Sequence, residues 1–419
     1  MLSRAASALA QRAARRGAAL APAAARRGAA FAPAAAFLDP TAGLSADQAA
    51  LYDAAHAFAQ REVAPRAAAW DEASTFPEEA LRAAAALGFA SMWAAEEHGG
   101  SALSRADSLP VLEALARACP SFAAYLSIHG MVAKMIDAHG TPAQRARWGG
   151  ALATASAFGS YCLTEPGAGS DAAALATRAA RDAGAPGGWA LSGQKAFISG
   201  GGRSDVYVVM ARSGGAGAGG VSAFLVERGA RGLSYGANEK KMGWKCQPTA
   251  AVYFDGTPAE LLGVEGGGFK MAMAALDGGR LSIGACSVGA AAAALDAARA
   301  HVLTRSQFGA PLAAQQAVAF EVADMAAGVW AARAAVRAAG AALDAGAPGA
   351  RAQCALAKAA ATERALAVVD AALQLHGGYG YLQATGIEKL LRDVRVHTIL
   401  EGASGIMRVV LARAVLEGR

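Results

Sequence analysis

Tyr161-Cys162-Leu163-Thr164-Glu165-Pro166-Gly167-Ala168-Gly169-Ser170-Asp171 marks the place where the chain changes character. An extended run meets a Pro/Gly turn dense in hydroxyls and backbone donors, able to receive a polar ring edge or a phosphate. A strand followed by a tight turn accounts for the proline and the glycines, but not for the whole string. From Phe158 onward short β-rich runs follow, Val206–Met210, Val221–Val226 and Ala251–Phe254, separated by Pro186-Gly187-Gly188, Gly200-Gly201-Gly202 and the glycines from Gly214 to Gly220. That density of strands and turns predicts a small antiparallel barrel or sandwich. Neither a strand-GxGxxG-helix context nor GxxxxGK[ST] is present, which argues against a nicotinamide Rossmann fold and a P-loop.

On both sides the pattern is helical. Upstream, Ser45-Ala46-Asp47-Gln48 resembles a capping box, with Leu51, Ala55, Phe58 and Ala59 at helical spacing behind it. Phe76-Pro77-Glu78-Glu79 starts a further helix that Gly88 closes, and others are predicted over 107–118, 121–139 and 142–152. His129 and His139 fall on these segments and read as core or cap residues. Downstream, helices are predicted over 267–302, 313–344, 349–376 and 400–417, a bundle with Ala/Leu/Val faces. The expected domains are therefore 39–156 (helical), 157–265 (β) and 266–419 (helical), a mixed, mainly α fold.

Residues 1–38 carry Arg4, Arg12, Arg15, Arg16, Arg26 and Arg27 and no acidic residue before Asp39, the composition of an organelle transit peptide. These six arginines account for the whole formal net charge of +6. The remainder is near neutral, so the basic balance reports an address and no nucleic-acid surface. Cys119, Cys162, Cys246, Cys286 and Cys354 are odd in number, scattered and without a CxxC pair, as expected of reduced core thiols. The Ala-rich stretches are weakly hydrophobic and broken by charge, so no stable membrane insertion is expected.

Near the C-terminus, Arg392-Asp393-Val394-Arg395-Val396-His397-Thr398-Ile399-Leu400-Glu401-Gly402 places one carboxylate between an apolar run and a glycine, just ahead of or in the first turn of a helix. Glu401 then has two readings. It is a helix-start acid favoured by the dipole, or a general base kept from water by Ile399 and Leu400, with Gly402 permitting close approach.

The string 161–171 closely matches a signature of the acyl-CoA dehydrogenases, and the resemblance extends over nearly all of 44–417. Ser192-Gly193-Gln194-Lys195-Ala196-Phe197-Ile198-Ser199-Gly200, Lys240-Lys241-Met242-Gly243-Trp244 and Leu373-Gln374-Leu375-His376-Gly377-Gly378-Tyr379-Gly380-Tyr381 agree in order and spacing. The resemblance implies an N-terminal α-helical domain, a middle antiparallel β-barrel domain and a C-terminal four-helix bundle, assembled as a homotetramer with FAD between barrel and bundle. It implies cofactor contacts from Tyr161, Thr164 and Ser170, from the aromatic-x-hydroxyl pair Phe197 and Ser199, from Arg305 and Phe308, and from Gln374, Gly377 and Gly378. On the substrate side it implies Ser170, Arg280, Leu400 and Gly402. It also implies that Glu401 removes the α proton of an acyl-CoA while the flavin accepts the β hydride. Relatives with the base on another helix carry it just before Arg280; Gly279 stands there and cannot take a proton.

Two positions depart from the family pattern. Ala403 replaces the usual serine or threonine after Glu-Gly, and Gly405 replaces a longer polar or acidic side chain, so the resemblance does not carry the family's hydroxyl contacts to FAD over to this turn, while backbone contacts there stay open. Leu400 stands where many straight-chain relatives have tyrosine. The expected activity is FAD-dependent α,β-dehydrogenation of a short branched acyl-CoA in the mitochondrial matrix, with electrons passed to electron-transfer flavoprotein. A short straight-chain or 2-methyl-branched substrate, an oxidase, and a non-catalytic flavin-bearing binding protein are the competing expectations.

Overall fold

A computed structural model of the chain describes residues 36–418. Most of the expected leader therefore lies outside the described residues. Ala36–Leu38 forms a single 3-10 turn, and Leu38 packs on the C-terminal helices. Six helices follow: α1 (Ala46–Phe58), α2 (Ala67–Glu72), α3 (Glu78–Ala85), α4 (Arg105–Ala118), α5 (Pro120–His139) and α6 (Pro142–Ala153). Their starts have local causes. Ser45 and Gln48 form the expected capping box, Thr141 and Gln144 form a second, and Ser104 accepts from Asp107 N–H. His129 is a core residue: it bonds Leu152 O at 2.8 Å through Nε2 and accepts Gly159 N–H at 3.2 Å through Nδ1.

The middle domain contributes β1 (Gly159–Cys162), β2 (Arg178–Arg181), β3 (Gly188–Ser199), β4 (Val206–Arg212), β5 (Val221–Glu227), β6 (Leu233–Tyr235) and β7 (Thr249–Leu262). The pairings β4–β2–β3–β7–β5 return to β4 and so make a ring, with β6 added on β7. Most are antiparallel as expected. However, β1 and β2 run parallel to β4, a correction to a purely antiparallel sheet that follows from the long excursion between β1 and β4. β7 runs on through Gly256 and Pro258, beyond the expected run Ala251–Phe254, and β3 continues through irregularities at Gly193 and Phe197.

The C-terminal part holds α7 (Gly268–Thr304), a small hairpin of β8 (Ser306–Gln307) and β9 (Ala310–Pro311), α8 (Gln316–Asp344), α9 (Ala350–His376), α10 (Ile387–Arg395) and α11 (Ser404–Glu417). α7 is the axis of the molecule, packing on α8 and α9 on one side and on α4 and α5 of the N-terminal domain on the other. By length and composition α7 could cross a membrane, which the sequence expectation overlooked; its most apolar window is 83% buried inside the protein. Small Ala and Gly residues let its neighbours approach closely enough to cover it. All five cysteines are buried and free.

Candidate active site

The segment 392–402 is a junction between domains. Arg392 pairs with Asp71 at 2.7 Å and donates to Met242 O at 3.1 Å. Asp393, wholly buried, accepts Trp244 N–H at 2.7 Å and pairs with Lys389 at 2.6 Å. His397 accepts from Trp244 Nε1 at 3.2 Å and meets Ser287 Oγ at 2.7 Å through Nδ1. Burial pushes its pKa down to about 3, so it is a neutral structural histidine. These anchors deliver Leu400 against Ala124, Trp244 and Ile283, and the chain then turns sharply.

The turn is Glu401-Gly402, with φ of 55° and 95°, three residues ahead of Ser404 where α11 begins. Of the two sequence readings, the helix-start acid is not what forms. Glu401 lies outside the helix with its carboxyl laid against α7. A Cβ built at Gly279 would stand 2.7 Å from Glu401 Cδ and 3.0 Å from Oε1, so the missing side chain there is the room the carboxyl occupies. Oε2 is fully covered and has no hydrogen-bond partner among the described residues. The Glu401 backbone N–H likewise donates to no acceptor among the described residues.

Burial raises the Glu401 pKa to about 7, against the opposing pull of Arg280, Lys358 and Arg105. An orphaned carboxylate oxygen with proton affinity near neutrality suits a general base and would be costly as a purely structural group. Arg280 is buried, with Nη1 on Asp277 Oδ1 at 2.7 Å and Nε unpartnered, close to Gly402; it is no surface arginine. The Tyr161 hydroxyl is also covered and without a partner among the described residues, and burial together with the Glu401 charge drives its pKa up.

Thr164 and Phe197 are joined by Ala196 N–H donating to Thr164 O at 2.9 Å. Phe197 itself has φ 58° and is 69% exposed. A large ring held outward on a strained backbone is what a flat ligand packed on the sheet would require. Ser199 follows two residues later, its carbonyl accepting from Ser160 Oγ at 2.6 Å. Ser170 stands exposed on the turn beyond β1.

At the far end of α9, Arg305, Gln374, Gly377 and Gly378 line one cavity of about 450 Å³ together with His301 and Tyr379. Phe308, with φ 53° and 95% exposed, projects from the neighbouring hairpin. The sequence-predicted residues thus gather in separate clusters around Glu401, at the sheet face and at the far end of α9.

Family models cover almost the entire chain: the acyl-CoA dehydrogenase N-terminal domain matches residues 45–156, the middle domain 160–257 and the C-terminal domain 266–416. The chain belongs to the acyl-CoA dehydrogenase family. It is 46% identical to the mitochondrial isobutyryl-CoA dehydrogenase of Bos taurus over 383 residues, 91% of each chain. It is 47% identical to the corresponding Dictyostelium discoideum enzyme over 379 residues, 90% of each chain. A chain solved in work on the electron transferring flavoprotein of Acidaminococcus fermentans superposes with a TM-score of 0.86 at 34% identity, covering 90% of this chain and 99% of that one.

As an acyl-CoA dehydrogenase the protein is a flavoprotein oxidoreductase acting on acyl-CoA, with FAD as cofactor. The exposed Phe197 ring and the Arg305-lined cavity are features such a cofactor fits. Sequence reasoning missed two charged residues that stand beside the Glu401-Gly402 turn and α7. Lys358 donates to Gly402 O at 2.7 Å. The Arg105 guanidinium lies against the backbone of Gly278, its Nη1 2.8 Å from where a Cβ would stand. A lone lysine among buried small residues of α9 was a signal for the first; a helix-start arginine offered none for the second.

Proposed function

We propose that the chain oxidises isobutyryl-CoA to methacrylyl-CoA in valine breakdown, with Glu401 as the α-proton base. The observation that carries this is the Glu401 carboxyl itself, with its covered and unpartnered Oε2 seated over Gly279. Similarity to two isobutyryl-CoA dehydrogenases supports the substrate, as does Leu400 in place of a larger aromatic residue.

In this reading the acyl thioester lies over Glu401, and its C2 proton passes to Oε2. Proton affinity near neutrality lets the carboxylate be ionised before the transfer and hold the proton after it. The free Glu401 N–H donates to the thioester oxygen, stabilising the negative charge that grows there as the proton leaves. FAD, when bound, supplies the acceptor for the C3 hydride, so that one proton and one hydride leave adjacent carbons and a double bond forms. Tyr161, Thr164, Ser170, Phe197 and Ser199 hold its ring portion. Arg305 and Phe308 hold its pyrophosphate and adenine end, the guanidinium matching the phosphate charge, with Gln374, Gly377 and Gly378 contributing across a subunit boundary. Ser170, Arg280, Leu400 and Gly402 border the substrate.

The enzyme works as a homotetramer in the mitochondrial matrix after loss of an arginine-rich leader, its barrel and four-helix bundle enclosing the cofactor. It passes electrons to electron-transfer flavoprotein. Flavin bleaching by a panel of isobutyryl-, butyryl- and 2-methylbutyryl-CoA tests the substrate. Isobutyryl-CoA is expected to bleach fastest; faster reduction by butyryl-CoA rejects it. Peroxide yield under air separates a dehydrogenase from an oxidase.

A further inference from the structure

The Glu401-Gly402 turn holds two successive residues in the left-handed region, which is disfavoured for a glutamate and persists only where its surroundings impose it. Lys358, on α9, is bonded to it. Its side chain is 0% exposed, and Nζ donates to the Gly402 carbonyl at 2.7 Å. Among the described residues no carboxylate lies within 4 Å of this ammonium. A buried cation without an ion-pair partner is expensive, and among the described residues its hydrogen bond goes to the Gly402 carbonyl.

The charged and titratable groups around this pair are few. Arg280 and Asp277 face it from α7, Arg105 from α4 and Tyr161 from β1. Glu363 and His397 lie on the Lys358 side. Met407, fully buried between Ala355 and Ala359, closes the turn from α11 by pressing on Gly402.

We propose that Lys358 is a positioning residue for the base: bound to the Gly402 carbonyl, its ammonium locks the turn that seats the Glu401 carboxyl over Gly279, and its charge keeps that carboxyl ionised until a thioester arrives. This rests on the reading of Glu401 as the base. Two effects are separable. The hydrogen bond sets geometry, and so governs kcat at any pH. The charge sets proton affinity, and so governs where the acid limb of the pH profile falls. Burial already holds the Lys358 pKa down to about 8, so its charge is retained at neutral pH.

The test uses flavin-loaded Lys358→Met, which removes donor and charge, and Lys358→Gln, which keeps a donor without the charge. The Glu401 carboxyl band in the infrared, assigned by its absence in Glu401→Gln, is titrated in each protein without substrate. In both variants the midpoint is expected to rise by about one pH unit, a tenfold gain in proton affinity. The acid limb of kcat should move with it, with KM changing less. At pH above the limb, Lys358→Gln should retain more of kcat than Lys358→Met. A soluble, flavin-loaded variant with the wild-type midpoint and acid limb overturns the proposal; if Lys358→Met does not fold, Lys358→Gln decides it alone. Failure of every acyl-CoA to bleach the wild-type flavin would instead sink the base assignment, and the infrared titration would still report whether Lys358 tunes Glu401.

Discussion

Glu401 holds its proton more tightly than a solvated glutamate because burial disfavours its charged form and no donor among the described residues reaches Oε2. With a folded pKa near 7 against an ordinary value of 4.5, the folded chain binds a proton that the unfolded chain has lost. Its contribution to stability therefore falls as pH rises between those values, by about 3 kcal/mol on an order-of-magnitude scale. Glu401→Gln should remove that slope, keep yellow FAD and reduce the rate of substrate bleaching by about 10³-fold or more. Near-normal bleaching would assign the base elsewhere. Gly279→Ala adds a methyl group where the carboxyl lies. A displacement on the order of 1 Å is expected to lower kcat about 10²-fold, while helix propensity favours alanine by about 1 kcal/mol. Loss of kcat with undiminished thermal stability is thus the expected signature, and unchanged kcat would show that the carboxyl is not confined there.

Among the elements, α11 begins without a side-chain cap: Ala403 occupies the N-cap with φ −54° and ψ 151° and offers no acceptor. Ser45, Ser104 and Thr141 show what the missing hydroxyl does at other starts. Ala403→Ser should stabilise the flavin-loaded protein by about 1 kcal/mol, read as a raised Tm; a lowered Tm would mean that the turn cannot admit the oxygen. The long helices were legible because apolar spacing persists over many turns, and their ends fell close to the expected ones. α10 was not, because in nine residues its buried face includes the charged Lys389 and Asp393, which hydrophobic periodicity cannot register. The extent of β7 was hidden for a related reason, since the β-rich run in the sequence stops at Phe254 and the residues from Thr257 to Glu260 join the strand by pairing with β3.

For the whole molecule, Asp393 is the tie between the 240s loop and the last short helix. Replacing it with alanine would strand the Lys389 ammonium and the Trp244 amide in the interior. Asp393→Ala is expected to cost about 3–5 kcal/mol in denaturant unfolding and to lower flavin retention. A loss under about 1 kcal/mol would mean that this junction does not hold the domains together. The same junction delivers Leu400 and Glu401 to α7, so stability of the fold and placement of the Glu401 carboxyl share one set of contacts.

From the sequence alone came the helix–strand–helix order, the near-neutral body behind an arginine-rich start, the family motifs and the candidacy of Glu401. These are legible because they depend on local spacing, composition and residue identity. The room at Gly279, the orphaned Oε2 and the ammonium of Lys358 on the Gly402 carbonyl belong to the tertiary structure. They join residues 44 to 122 positions apart, and proton affinity in an interior is set by what surrounds a group in space, which no neighbour along the chain reports.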